Sequence, residues 1–117
     1  MSMMDCVVEE REGVTIVAPR GDIDAASAGA FQDRIDELLR GGAHYFVVDL
    51  GGVGFVDSAG LAALVRLYKR VRIGEGDVRL ASVPAPVLEI LDLTRLNRVF
   101  DIFPTAAEAA RSITSPG

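Results

Sequence analysis

A chain of 117 residues with a formal net charge of −5 suits one globular domain rather than two. Half of the residues are hydrophobic and a quarter are charged, a balance that argues against intrinsic disorder. The acidic balance and the lack of a basic stretch make direct binding of nucleic acid unexpected, and no apolar run reaches the roughly 18 residues of a membrane span. With one cysteine, Cys6, and no secretory signal, a cytoplasmic location is expected.

The first half of the chain predicts two strands, a helix and a third strand. Residues 6–8 and 14–18 read as short strands that flank a charged turn. Apolar residues then recur at helical spacing, with Asp24 as the expected N-cap and glycines 41–42 as the end of the helix. Residues 45–50 form a nearly continuous apolar run, which is typical of a central strand covered on both faces.

The second half alternates helices and strands. A glycine-containing loop leads into a helix whose apolar stripe is Leu61, Leu64, Val65, Tyr68 and Val71. Strands are predicted at 78–83 and 99–103, separated by a short helix that Pro84 and Pro86 open. Thr105 and Glu108 form a capping-box pattern before a last helix. The order β-β-α-β-α-β-α-β-α predicts an α/β fold with a mixed, mostly parallel sheet.

Ser58 stands between the loop and the second helix. Its hydroxyl is placed to accept a hydrogen bond from a first-turn backbone N–H, a cap worth about 1 kcal/mol. Asp57 adds a carboxylate beside the hydroxyl, and Gly60 is expected to leave the approach from outside open. From these residues alone, helix capping is the simplest role for Ser58.

The wider pattern resembles the signature of STAS-domain anti-sigma factor antagonists. That signature is a strand ending in Asp-Leu, here Asp49-Leu50, a short loop, and a hydrophobic residue followed by Asp-Ser-Ala-Gly-Leu, here residues 57–61. Residues 21–24 resemble the family's Gly-Glu-Leu-Asp, and residues 93–96 its Leu-Thr-Gly-Leu with Arg95 in place of glycine. Ala59 stands where many relatives have a second hydroxyl. The resemblance implies one STAS domain over residues 1–117, with about four helices packed mainly on one side of a small sheet.

The resemblance also implies a function. Such proteins bind an anti-sigma factor serine kinase in their unphosphorylated form, which frees a sigma factor for transcription. The kinase inactivates them by phosphorylating the serine after the aspartate, here Ser58, and a serine phosphatase restores them. The residues expected to contact the partner are Asp22, Asp24, Asp57, Ser58, Ala59, Gly60 and Leu61. No enzymatic activity, cofactor or metal is expected.

The sequence leaves the roles of several charged residues open. Asp22 and Asp24 either contact the partner or serve only as a solvated residue and a helix cap, respectively. The cations of the second helix either face solvent or border a partner contact; they are Arg66, Lys69, Arg70 and Arg72.

Two rival functions compete with the regulator. The first is a stand-alone STAS scaffold subunit of a transporter or signalling complex, in which Ser58 is a helix cap only. Neighbouring genes for an anti-sigma kinase or for a transporter would discriminate between the regulator and this scaffold. The second is a weak nucleotide hydrolase. His44 is the only histidine, so no Ser-His-Asp triad can form, and the loop at 51–54 lacks the Gly-Lys-Ser/Thr ending of a phosphate-binding loop.

Overall fold

The computed structural model describes residues 4–114 and contains five strands and four helices in the predicted order. The strands are β1 (Asp5–Arg11), β2 (Val14–Arg20), β3 (Tyr45–Asp49), β4 (Asp77–Ala81) and β5 (Asp101–Phe103). The helices are α1 (Ala28–Arg40), α2 (Ser58–Ile73), α3 (Ala85–Leu93) and α4 (Ala106–Thr114), and a 3-10 turn, Leu96–Arg98, lies between α3 and β5.

The five strands form one sheet in which spatial order follows chain order, β1-β2-β3-β4-β5. β1 and β2 pair antiparallel as a hairpin, and every later pair is parallel and connected through a helix. The predicted mixed, mostly parallel sheet is therefore confirmed. Because the parallel strands share one direction, the loops that follow β2, β3 and β4 all emerge at the same edge of the sheet.

The sheet is covered on both faces, and this explains the apolar run in the central strand. Alternate side chains of a strand point to opposite faces. In β3, Phe46 and Val48 join the large core shared with α1, α2 and α3, whereas Val47 points to the other face. There it packs with Ala109 and Ala110 of α4 in a smaller core. Three helices thus lie on one side of the sheet and α4 on the other. This agrees with the expectation that the helices pack mainly on one side.

The start of α1 differs from the prediction. The helix begins at Ala28, and Ser27 occupies the N-cap position without a capping bond from its side chain. Asp24 instead closes the turn before the helix: its Oδ1 accepts hydrogen bonds from the backbone N–H groups of Ala26 (3.0 Å) and Ser27 (3.1 Å). Asp24 as the N-cap of α1 was therefore wrong, because the chain makes one extra turn before the helix starts.

The last strand is shorter than its apolar run suggested. Val99 and Phe100 lie outside β5, in the turn that follows the 3-10 segment. Phe100 is buried and meets Tyr68 of α2 edge-on, with ring centroids 5.5 Å apart. Its hydrophobicity thus serves helix packing and not strand pairing. The Thr105 half of the predicted capping box is confirmed, because Thr105 Oγ1 accepts from the Glu108 N–H at 3.1 Å.

Candidate functional site

The candidate site lies at the carboxyl edge of the parallel strands, where the segment after β2 runs beside the segment after β3. The Gly21 N–H donates to the Gly52 carbonyl and the Ile23 N–H to the Phe55 carbonyl, each at 3.0 Å. The Asp57 N–H donates back to the Ile23 carbonyl at 3.2 Å. These bonds extend the sheet by one parallel bridge, and they fix where α2 begins.

Asp57 is the residue that caps α2. Its Oδ1 accepts from the Gly60 N–H at 3.0 Å, which satisfies one of the donors that a helix leaves unpaired in its first turn. Its Oδ2 accepts from the Ala25 N–H at 3.1 Å, across the gap to the segment before α1. One carboxylate therefore ties two loops together, and the prediction of Ser58 as the capping residue was wrong.

Ser58 is the first residue of α2 and is exposed to solvent. Because Asp57 already supplies the cap, the Ser58 hydroxyl is not needed to start the helix. The hydroxyl stands at the positive end of the helix dipole, where an added negative charge is tolerated. The arrangement is thus an exposed serine at a helix end that another residue caps.

Gly60 is buried, which overturns the expected reason for a glycine at this position. A Cβ placed on Gly60 would lie 2.1 Å from the Ile23 carbonyl oxygen and 2.7 Å from Val56 Cγ1. The missing side chain therefore admits the backbone of the neighbouring segment and does not open a path from outside. Glycine is therefore required at position 60 by the fold itself, because it allows α2 to approach the loop after β2.

The other predicted partner-contacting residues are spread between surface and core. Asp22 is exposed, and its Oδ1 would lie 3.3 Å from a Cβ on Gly54, so it borders the loop that leads to Ser58. Asp24 is half-buried, and its carboxylate accepts a hydrogen bond within its own turn. Ala59 and Leu61 are partly buried and pack against the main core. Ser58 and Asp22 are thus the most accessible members of the set.

Phe55 is a surface residue that the sequence analysis did not single out. Its side chain is 48% exposed, while its neighbour Val56, which bridges to Ile23, is 1% exposed and packs in the main core. In an extended segment, adjacent side chains point in opposite directions, so a buried Val56 directs Phe55 outward. Phe55 and Val56 are adjacent apolar residues, so no local pattern in the sequence marks Phe55 as the exposed one. Phe55 places an apolar ring three residues before Ser58.

The thiol of Cys6 lies outside this site, in the first strand. Cys6 is half-buried in β1, and burial raises the pKa of its thiol above the usual value. Within residues 4–114, no cluster of three or more His, Cys, Asp and Glu side chains is arranged to hold a metal ion. In the same part of the chain, no helix is both long and apolar enough to cross a bilayer.

The fold and site together define a small α/β domain that presents one serine at the start of its second helix. A family model described as the STAS domain matches residues 5–109. The chain therefore belongs to the STAS domain family.

Relatives and solved structures agree with this assignment. The chain is 27% identical over 103 residues to an anti-sigma F factor antagonist of Paenibacillus polymyxa, which covers 87% of this chain and 88% of the relative. A crystal structure of an anti-sigma factor antagonist from Mycobacterium paratuberculosis superposes with a TM-score of 0.86 at 26% identity, over 98% of this chain and all of that one. A Thermotoga maritima protein, itself proposed to be an anti-sigma factor antagonist, superposes with a TM-score of 0.89 at 26% identity, over 93% and 94% of the two chains.

Proposed function

We propose that this protein is an anti-sigma factor antagonist that acts through the surface around Ser58. In its unphosphorylated form it binds an anti-sigma factor serine kinase, and this binding frees a sigma factor for transcription. The kinase ends the interaction by phosphorylating Ser58, and a serine phosphatase reverses the modification. The names of relatives that match over most of their length support the antagonist role. The geometry at the start of α2 supports the choice of Ser58.

The observation that carries the proposal is the exposure of a serine that has no structural duty. Ser58 is exposed, and Asp57 supplies the cap of α2 in its place. A kinase can therefore reach the hydroxyl without opening the helix. The rival assignment, in which Ser58 serves only as a helix cap, has no capping bond to support it, because Asp57 accepts that bond.

A phosphate on Ser58 is expected to act at the partner surface and not on the fold. It adds about −1.5 to −2 charges at neutral pH, at a helix end that favours negative charge. In a docked complex, by contrast, the charge must lose water without a matched cation, at a cost of about 2–5 kcal/mol. That cost corresponds to a loss of affinity of roughly 30-fold to a few thousand-fold.

The surroundings of Ser58 fit a docking surface of this kind. The exposed ring of Phe55 supplies apolar area close to the serine, and aromatic residues are common anchors of protein interfaces. Asp22 contributes a carboxylate on the same edge. A phosphate introduced there adds to negative charge that the partner already accommodates. Both features make binding sensitive to a change at Ser58.

The proposal is tested with purified anti-sigma factor kinases from the genome that encodes this chain. The wild-type protein is expected to bind one of them in the presence of ADP and, with ATP, to gain a single phosphate that mass spectrometry places on Ser58. Ser58→Ala is expected to bind but not to be phosphorylated. Ser58→Asp is expected to bind at least about tenfold more weakly, because a permanent carboxylate imitates part of the phosphate charge.

Thr105→Asp is the matched control, because it also replaces a hydroxyl by a carboxylate at the start of a helix. Thr105 precedes α4, on the other face of the sheet, so this variant is expected to bind like wild type. Equal binding of Ser58→Asp and wild type, or a phosphate found on another residue, would overturn the assignment of Ser58.

A further inference from the structure

Helix α2 is strongly basic in an otherwise acidic protein. The chain carries a formal net charge of −5, yet the 16 residues of α2 include four cations and no carboxylate. Cations near the end of a helix are favoured by its dipole, and this accounts for Arg70 and Arg72 in the last turn. It does not account for Arg66 and Lys69, which lie further from the helix end.

The two cations of the last turn have partners within the fold. Arg70 forms an ion pair with Asp36 of α1, and an Arg72 nitrogen lies 3.7 Å from an oxygen of Asp77 in β4. Arg66 and Lys69 are exposed and form no salt bridge within residues 4–114. Their charges are therefore available to a ligand outside the molecule.

These two cations lie on the same exposed face of α2 as the serine. Ser58, Ala62, Arg66 and Lys69 are all exposed and follow one another at spacings of four, four and three residues, which is the period of one helix face. We call Ala62, Arg66 and Lys69 the basic stripe. With a rise of about 1.5 Å per residue, Arg66 lies about 12 Å and Lys69 about 16 Å along the helix from Ser58.

This spacing decides what the basic stripe can bind. Neither cation can reach a phosphate on Ser58, so the stripe does not neutralise the modification. A standard protein interface covers about 800 Å² on each partner, so one centred on Ser58 would include Arg66 and reach Lys69 at its rim. Together with Val65 and Arg70, the stripe lines a shallow depression beside the helix. A partner that covers Ser58 therefore meets this depression as well.

We propose that the basic stripe docks an acidic segment of the anti-sigma factor kinase. The inference rests on the proposed function and adds the charge of the partner surface. A short acidic protein segment matches two cations one turn apart beside a small Ala62 side chain. An extended polyanion such as a membrane surface or a nucleic acid would also meet the repulsion of the excess carboxylates on the rest of the chain.

The first test uses the kinase that binds the wild-type chain. Arg66→Glu and Lys69→Glu are each expected to lower the affinity about threefold to thirtyfold and to weaken its dependence on salt, because they remove a cation at the interface and add a repulsive charge. Arg111→Glu on α4 makes the same charge change at an exposed residue on the opposite face of the sheet, and it is expected to change the affinity less than twofold. Equal effects of all three variants would overturn the inference while leaving the role of Ser58 untouched.

The second test does not depend on finding the kinase. Poly-L-glutamate is titrated into the isotope-labelled chain, and amide shifts are followed by NMR. The largest shifts are expected at Ala62, Arg66 and Lys69 and are expected to be lost in Arg66→Glu. Shifts centred elsewhere, or shifts at the stripe with anionic lipid vesicles but not with polyglutamate, would contradict an acidic protein segment as the occupant. A kinase that never binds would count against the proposed function, whereas this titration judges the stripe alone.

Discussion

The absent side chain of Gly60 allows two pieces of backbone to touch. A Cβ would stand 2.1 Å from the Ile23 carbonyl oxygen, well inside van der Waals contact, and both groups are anchored. Ile23 is held by its bridge to Val56, and Gly60 by the bond from its N–H to Asp57. Neither side can retreat without breaking bonds. At the residue scale, the site thus depends on one buried glycine as much as on the exposed serine.

Gly60→Ala is expected to destabilise the fold by about 3 kcal/mol or more, because the added methyl group meets fixed backbone. Gly29→Ala in α1 is the matched control: its Cβ would meet nothing within 4 Å, and alanine favours the helix by about 0.5–1 kcal/mol. Urea unfolding of both variants measures the difference. Equal stability of the two variants would show that α2 can move away from Ile23.

The elements around the site are joined by side chains that reach between loops. Asp57 holds the first turn of α2 with one oxygen and the Ala25 N–H with the other. Ala25 precedes α1, so the carboxylate couples the starts of two neighbouring helices. The position of Ser58 relative to Asp22 and the rest of that loop is fixed by this coupling.

Asp57→Ala is expected to lower the free energy of unfolding by about 1–2 kcal/mol, since it removes the cap of α2 and leaves the Ala25 N–H without its partner. Asp57→Asn is expected to lose less, because its single carbonyl oxygen can still accept one of the two bonds. Asp33→Ala, an exposed carboxylate in the middle of α1, provides the baseline for losing a surface charge. Chemical denaturation of the three variants ranks them, and an Asp57→Ala protein as stable as Asp33→Ala would contradict the coupling.

The elements themselves were largely predictable from the sequence, and their local contacts were not. The helical period of α2 and the apolar run of β3 depend on neighbouring residues, so a single sequence reveals them. The bond from the Ala25 N–H to Asp57 and the need for Gly60 depend on the segment after β2, more than thirty residues earlier in the chain. Phe100 was assigned to a strand because hydrophobicity alone does not distinguish pairing with β4 from packing on Tyr68. Long-range contacts of this kind leave no local pattern.

At the scale of the whole molecule, the site is separate from the core that stabilises the fold. Ser58 is exposed, whereas Ala63 and Leu64, a turn and a half further along α2, are no more than 1% exposed and lie in the main core. Charge added at the first position of α2 therefore stays in water. Charge added at the buried positions Ala63 or Leu64 would instead enter the apolar interior.

Ser58→Asp is accordingly expected to keep a free energy of unfolding within about 1 kcal/mol of wild type, because a carboxylate at a helix start is stabilised by the dipole and screened by solvent. Ala63→Asp in the same helix is expected to abolish cooperative unfolding, since it buries an unpaired charge. Urea unfolding and the dispersion of the NMR spectrum report both results. A Ser58→Asp chain with a collapsed spectrum would mean that the modification acts by unfolding and not at the partner surface.

The arrangement of α4 has a consequence for how the chain assembles. Because spatial strand order follows chain order, each strand can pair with the one made before it, and such local connectivity favours rapid folding. The far face of the sheet is different, since Val14, Ile16, Val47 and Ala81 pack there with α4, the last helix of the described chain. A nascent chain synthesised only as far as β5 would expose this apolar face, so it is expected to be most prone to aggregation until α4 has been made and has packed on the sheet.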